Sequence, residues 1–359
     1  MSNLKKFIIK KNIKKMDELK KTDLKLEEEL FNLNLKELNY LNINNENLQL
    51  KANFIEKKNF HRGGWNNVLK IFNHINLFND NSDINFYDIL EFNLEKLQDN
   101  KKWIGIVHYT PNTPEHLNIF NINEVLLKNI NFINAIPNCL GIITLSKYLY
   151  DYLKLYFITN EINIRLDWLK HPIIFPNLLF DYQKYLNNSE KKIIQLGQQL
   201  RKNTTIYNLK NNNFKKYWFV GNPCNHNEKI IEDEMTYLKI KNLDMKSVKI
   251  YYTKTYEEYD QYLQESIILI NMYDAAANNA VIECIVRNTP IIINKLPGVI
   301  DYLGNDYPLY FNKESEINDL LTNEKIKAAH EYLKNLNKDD LKIESFVKKF
   351  IEILKGFLV

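Results

Sequence analysis

Cysteine is nearly missing from this chain. Cys139, Cys224 and Cys284 are the whole supply in 359 residues. They are unclustered, which excludes a disulfide framework, and their spacing fits no metal-ligand motif. Cys139 and Cys284 sit in apolar surroundings and read as buried packing residues. No apolar run is long enough to span a bilayer. The basic N-terminus lacks the apolar block of a secretory signal. The expectation is a soluble, cytoplasmic protein. There is no G-x-G-x-x-G, so a nicotinamide dinucleotide site has no direct support. A G-x-x-x-x-G-K phosphate loop is absent too. No flanked Asp-x-Asp pair suggests a held divalent cation. Neither a metal nor a cofactor is expected.

Excess charge is also missing from most of the chain. The formal net charge is +4, yet residues 1–21 hold eight lysines against Asp17 and Glu18. The remainder is slightly acidic, so no basic face for nucleic acid is expected on the folded body. Residues 1–21 read as a basic amphipathic helix touching a membrane surface or partner, or as a peripheral helix or a frayed tail. Asn, Ile, Lys and Tyr are abundant, as in chains from AT-rich genomes, so single Asn residues carry little functional weight.

What is present is alternation. Residues 1–50 form a charged, helix-prone extension. Residues 51–186 alternate strands (Trp103–Tyr109, Leu140–Leu145) with helices (Asn66–Phe78, Glu124–Ile136, Lys147–Phe157). Prolines near residues 172–176 then interrupt regular structure. Residues 187–343 repeat the pattern, with strands at Lys192–Gly197, Tyr217–Gly221, Val248–Thr253, Ile267–Tyr273, Pro290–Asn294 and Pro308–Phe311. The helices between them include Glu228–Lys239, Tyr256–Glu265 and Asn279–Arg287. Residues 344–359 form a last helix that packs back across both halves. Such alternation predicts an α/β chain of two Rossmann-like parallel-sheet domains facing a cleft.

The most informative segment runs from Tyr273 to Asn294. A buried strand ends near Tyr273, a loop of small residues follows, and a helix opens at Asn278, Asn279 and Ala280. Loops at the carboxyl ends of parallel strands are where ligands bind, and a helix start favours phosphate. Glu283 falls one turn later on the same face. Asp274 either touches a ligand hydroxyl or caps the loop. In Gln195–Lys202, Gly197 permits close backbone approach. Arg201 offers paired donors to a diphosphate, or is simply exposed. Tyr252 and Thr253, at a strand end, are candidates for base contacts. In the first half, His61, Gly63, Gly64 and Trp65 form either a ligand loop with a flat ring for a sugar or a plain turn with a core Trp. His108 ends a strand and reads as a general base or a hydrogen-bonded structural residue. Ser146 either binds ligand or caps the next helix. Glu232, Asp233 and Glu234 read as a solvated helix face.

These residues resemble a known group. The runs Tyr259–Leu263, Ala275–Pro290 and Tyr302–Phe311, with Pro297, look like glycosyltransferases of the GT-B fold, and in detail like the family found in giant viruses of amoebae. The similarity covers residues 55–355. It implies a C-terminal domain that binds a nucleotide-sugar, UDP-linked by preference, and an N-terminal domain that binds a glycan or glycoprotein acceptor. It implies that Glu283 holds the ribose, that Arg201 and Lys202 meet phosphate, and that no metal is needed. The implied setting is host cytoplasm or virion. One departure stands out. Many retaining relatives carry two glutamates with seven residues between them; the partner position of Glu283 is Ala275, and the nearest acid is Asp274. If the reaction inverts, His108 deprotonates the acceptor; if it retains, His108 orients the sugar. Two alternatives share the fold, a catalytically decayed carbohydrate-binding or scaffold protein and a sugar-nucleotide epimerase.

Overall fold

The computed structural model describes residues 50–53, 65–97, 100–220, 226–252 and 255–359. The expected N-terminal extension, including the basic stretch 1–21, lies outside them. The first lobe is a five-stranded sheet of β1 (Lys51–Asn53), β2 (Ile84–Tyr87), β3 (Lys102–Val107), β4 (Cys139–Thr144) and β5 (Leu166–Trp168). The strands lie side by side in chain order and every pair is parallel. β3 and β4 are apolar on both faces, as expected where helices cover both sides. β1 and β5 are short and partly covered, and β2 has only four residues with the last three buried, so none shows a clear period.

The second lobe is a six-stranded parallel sheet of β6 (Lys192–Leu196), β7 (Lys215–Phe219), β8 (Lys249–Tyr251), β9 (Ile267–Ile270), β10 (Ile291–Asn294) and β11 (Tyr310–Phe311). Its order is β11-β10-β9-β6-β7-β8. The chain runs outward from β6 to β8, then returns to lay β9 on the other side of β6. Strand order therefore reverses between β6 and β9, which makes that crevice the place for a ligand.

Helices follow the apolar spacing closely. In Lys147–Thr159, Leu149, Leu153 and Phe157 are buried four apart, and the Ser146 hydroxyl accepts the Leu149 N–H. The single helix expected over Glu124–Ile136 is broken. Asn129 accepts the N–H groups of Asn131 and Phe132 and starts a separate helix, Ile130–Ala135. A side chain that caps so well stops one helix and begins another. Helix Asn279–Arg287 ends on Asn288 with φ 58°, in the left-handed region, and Thr289-Pro290 then leads into β10.

The last helix, Ile343–Leu358, belongs to the first lobe's core. Phe346, Val347, Phe350, Leu354 and Phe357 pack with Phe72, Phe86, Ile104 and Ile143. Phe72 and Phe350 stack with centroids 4.4 Å apart. Arg165 donates to the carbonyls of Gly356 and Phe357 and so closes this helix's end. Among the described residues no helix is long and apolar enough to cross a membrane. Cys284 is buried as expected, whereas Cys139, the first residue of β4, is only partly covered.

Candidate functional site

The loops leaving β6 and β9 meet at the strand reversal and are stitched by their backbones. Tyr273 donates its N–H to the Leu200 carbonyl at 3.0 Å, and Lys202 donates to Asn271 at 2.8 Å. Gly197 holds φ +76°, and a Cβ there would meet the Arg201 guanidinium only in ordinary contact, at 3.4 Å. That conformation suits glycine. Arg201 does not extend into solvent; it is 7% exposed. Its Nε donates to the Leu196 carbonyl (3.2 Å), Nη1 to the Gln199 carbonyl (2.8 Å) and Nη2 to Asn278 Oδ1 (3.1 Å). All three acceptors are neutral. Burial pushes its pKa down to about 10, because a charged group loses its hydration there.

Asn278 Oδ1 also caps helix Asn279–Arg287, accepting the Val281 N–H at 3.3 Å. Asn279 and Ala280, the first helical residues, are partly exposed beside it. Arg201 and the helix start thus share one acceptor atom, and both present positive potential at the same place. One turn deeper, Glu283 is buried. Its Oε2 lies 3.4 Å from Arg287 Nη1 and has no hydrogen-bond partner. Burial, followed by the nearby Glu283 charge, pushes the Tyr259 pKa well up. Arg287 also binds Asp260, at 2.8 Å through Nη2. Burial alone would lower its pKa, but Glu283 and Asp260 outweigh that and raise it.

The opposite wall of the second lobe holds residues that sequence reading missed. Glu234 is buried, not part of a solvated face. It accepts the N–H groups of Asn203 (2.6 Å) and Thr204 (3.0 Å) and the Thr204 hydroxyl (2.7 Å). Burial pushes its pKa up and these bonds oppose the shift. Glu232 and Asp233 do face solvent. The signal was helical phase, since Glu234 is three residues after the buried Ile231. Asn203 is held in turn by Gln195, fully buried in β6, at 3.1 Å. Lys202 is partly exposed, with its ammonium 5.5 Å from the Tyr273 ring centroid. Tyr252 is partly buried against the second lobe's core.

In the first lobe, His108 follows β3 and is partly exposed. Glu91 accepts its backbone N–H at 2.7 Å, and its Nε2 lies 2.9 Å from the Asp88 carbonyl oxygen. A carbonyl can only accept, so the proton sits on Nε2 and Nδ1 is the basic nitrogen of the neutral ring. Trp65 meets His108 edge-on at 5.1 Å and lies 5.5 Å from His171. The Trp65 Nε1 is buried without a hydrogen-bond partner. Ser146 is fully buried, and its hydroxyl is the helix cap described above; it is out of reach of an acceptor sugar. His61, Gly63, Gly64 and Thr253 lie outside the described residues.

Asp274 joins the lobes. It is 2% exposed. Its Oδ2 accepts the Asn112 N–H and the Tyr148 hydroxyl, both at 2.9 Å, and Oδ1 accepts the Ala275 N–H at 2.9 Å. Further along, Asp301 accepts the Tyr148 N–H at 2.7 Å. The Tyr302 hydroxyl accepts from His171 N–H and donates to the Leu145 carbonyl. His116, from the first lobe, packs its ring on Tyr237 (4.4 Å) and Tyr273 (5.6 Å) of the second.

No family model matches the sequence, and no curated protein matches it either. Solved structures do. An Anabaena protein, Alr3699/HepE, solved in complex with UDP-glucose, aligns with TM-score 0.54 and 10% identity, covering 86% of this chain and 99% of that one. The α,α-trehalose 6-phosphate synthase of Burkholderia multivorans gives 0.53 and 9%, covering 76% and 70%. TarM gives 0.52 and 18%, covering 76% of this chain and 54% of that one. At such identities the likeness shows the fold. The chain is α/β, with two parallel sheets in the GT-B arrangement.

Proposed function

We propose that this chain is a glycosyltransferase that moves a sugar from a nucleotide-sugar, a UDP-sugar first of all, to a hydroxyl of a glycan or glycoprotein acceptor. One observation carries the reading: Arg201 is a buried cation bonded only to neutral oxygens, at the start of a helix and at the strand reversal. A buried charge is costly unless paired. A diphosphate placed on Asn278, Asn279 and Ala280 would supply the missing negative charge, with Lys202 and the Gly197 backbone beside it. Glu283 then offers its unbonded Oε2 to ribose hydroxyls, and Tyr252 and Thr253 flank the base. The Anabaena neighbour's UDP-glucose supports the choice of nucleotide.

On the first lobe, His108 stands as base toward the acceptor hydroxyl or as a guide for the sugar, with His61, Gly63, Gly64 and Trp65 forming the acceptor wall. The transferred group is a hexosyl or N-acetylhexosaminyl unit, and the reaction is assigned no metal. The setting we assign is the cytoplasm of a host or a virion.

Calorimetry with UDP tests the donor site. Glu283→Ala should weaken UDP by roughly 10- to 100-fold, the worth of hydrogen bonds to a buried carboxylate. Unchanged affinity would remove the ribose assignment. Products from UDP-glucose separate the readings of the fold. An epimerase returns an isomeric nucleotide-sugar, a scaffold returns nothing, and a transferase releases UDP. Turnover that survives a chelator supports the metal-free assignment, and turnover lost to it and restored by a divalent cation overturns it.

A further inference from the structure

Asp274, Tyr148 and Asn112 form a closed ring of hydrogen bonds across the cleft. Asp274 Oδ2 accepts the Asn112 N–H and the Tyr148 hydroxyl, each at 2.9 Å. Asn112 Nδ2 donates to the same Tyr148 oxygen at 2.6 Å. The Asp274 Oδ1 is taken by the Ala275 N–H. Both carboxylate oxygens are therefore in use, and the group is 2% exposed. It cannot reach a substrate, so it takes no part in bond making.

What it can do is set geometry. Asn112 lies four residues after His108, on the same loop. Ala275 lies three residues before Asn278, on the loop that opens the phosphate-facing helix. The donor-side loop is backed by helix Pro297–Leu303, where a Cβ on Gly298 would fall 1.8 Å from the Ala275 carbonyl oxygen. Tyr148 is itself anchored to that helix, through its N–H on Asp301. Within its own lobe the acceptor-side loop is held by Glu91, which takes the His108 and Tyr109 N–H groups, and by Asn121, which donates to the Pro111 carbonyl; the Asp274 carboxylate ties it to the donor-side loop.

We propose that Asp274 is a positioning residue which, with Tyr148, holds loop 108–114 in register with loop 274–278 and thereby places His108 against the donor. The effect on transfer rests on the glycosyltransferase reading above; the clasp itself does not. Burial raises the Asp274 pKa, and the bonds from Asn112, Tyr148 and the Ala275 N–H oppose that shift without cancelling it.

The test combines Asp274→Asn, Tyr148→Phe and the double variant in the full chain. Hydrogen exchange should quicken at least tenfold in residues 108–114 of Asp274→Asn and stay unchanged in β6 and β9. UDP release from UDP-glucose should lose at least tenfold in kcat, with KM and the UDP Kd within twofold, since small displacements of a reacting group are expensive. Tyr148→Phe should lose less, and the double variant should be no worse than Asp274→Asn, because the two act as one unit. Tyr148→Phe keeps the carboxylate and serves if Asp274→Asn does not fold. Unchanged exchange at 108–114 overturns the clasp. A UDP Kd that weakens in step with turnover makes Asp274 a donor ligand and overturns the positioning role. If the wild type neither binds UDP nor cleaves UDP-glucose, the glycosyltransferase reading falls, and exchange alone still decides the clasp.

Discussion

Both lobes are parallel sheets wrapped in helices, but their strands are ordered differently. The first lobe lays β1 to β5 side by side in chain order; the second reverses between β6 and β9. A reversal sends two neighbouring loops apart and opens a crevice between them. Several of the second lobe's buried polar groups gather there: Gln195, Arg201, Asn203 and Glu283 lie on or beside the two loops. The first lobe has no such crevice among its described strands. Its polar groups, Asp88, Glu91 and His108, sit at the ends of β2 and β3 instead. Topology thus gives the second lobe a crevice of its own, and gives the first none among its described strands.

The lobes also differ in how they close their cores, and the largest expected effect tests this. The second lobe's core is drawn from residues 173–341, whereas the first needs Ile343–Phe357. Removing residues 343–359 should unfold the first lobe. Losing one buried Phe costs about 3–5 kcal/mol, and this deletion removes Phe346, Phe350 and Phe357 together. Hydrogen exchange should show lost protection in β2 to β4 with protection kept in β6, β9 and β10. Equal loss in both lobes would erase the distinction.

A smaller effect is expected at pH. His171 is 4% exposed, and burial pushes its pKa down to about 4. The unfolded chain takes up this proton near pH 6.5, the folded chain only near 4. Stability from this group is therefore full above about pH 6.5 and is lost as pH falls to about 4, by about 3 kcal/mol in all. His171→Gln should flatten the urea-midpoint profile over that window; an unchanged slope places the acid sensitivity elsewhere.

Smaller still is the expected effect of Gly298→Ala on the second lobe. The new methyl collides with the Ala275 carbonyl oxygen, and overpacking of this kind costs about 1–3 kcal/mol. A thermal melt should fall, and UDP binding should weaken beyond the loss of stability. A neutral result would mean that the loop gives way freely.

The same contrast explains what could be read in advance. Strands such as β9 and β10 are short unbroken apolar runs, so their place and type were plain. β1 and β5 are three residues long and only partly buried, and β2 is four residues with its last three buried, which leaves no period to detect. In the site, Gly197, Asn278 and Glu283 were legible because strand, loop and helix follow each other in the chain. Arg201 was picked out, but not its inward turn, which depends on carbonyls that only the folded loop presents. The Asp274 ring was out of reach, since its partners are 126 and 162 residues away. Glu234 was hidden inside an acidic run that otherwise faces solvent.

The last helix carries one more consequence, and it concerns time. Phe350 stacks on Phe72, and Gly141 exists without a side chain because the Phe357 ring occupies that space. During synthesis the first lobe is made early but cannot finish its core until the final helix leaves the ribosome. The second lobe, made in between, can be complete by then. The half that begins first must fold last, and for that interval its apolar strands stay open to chaperones and to each other.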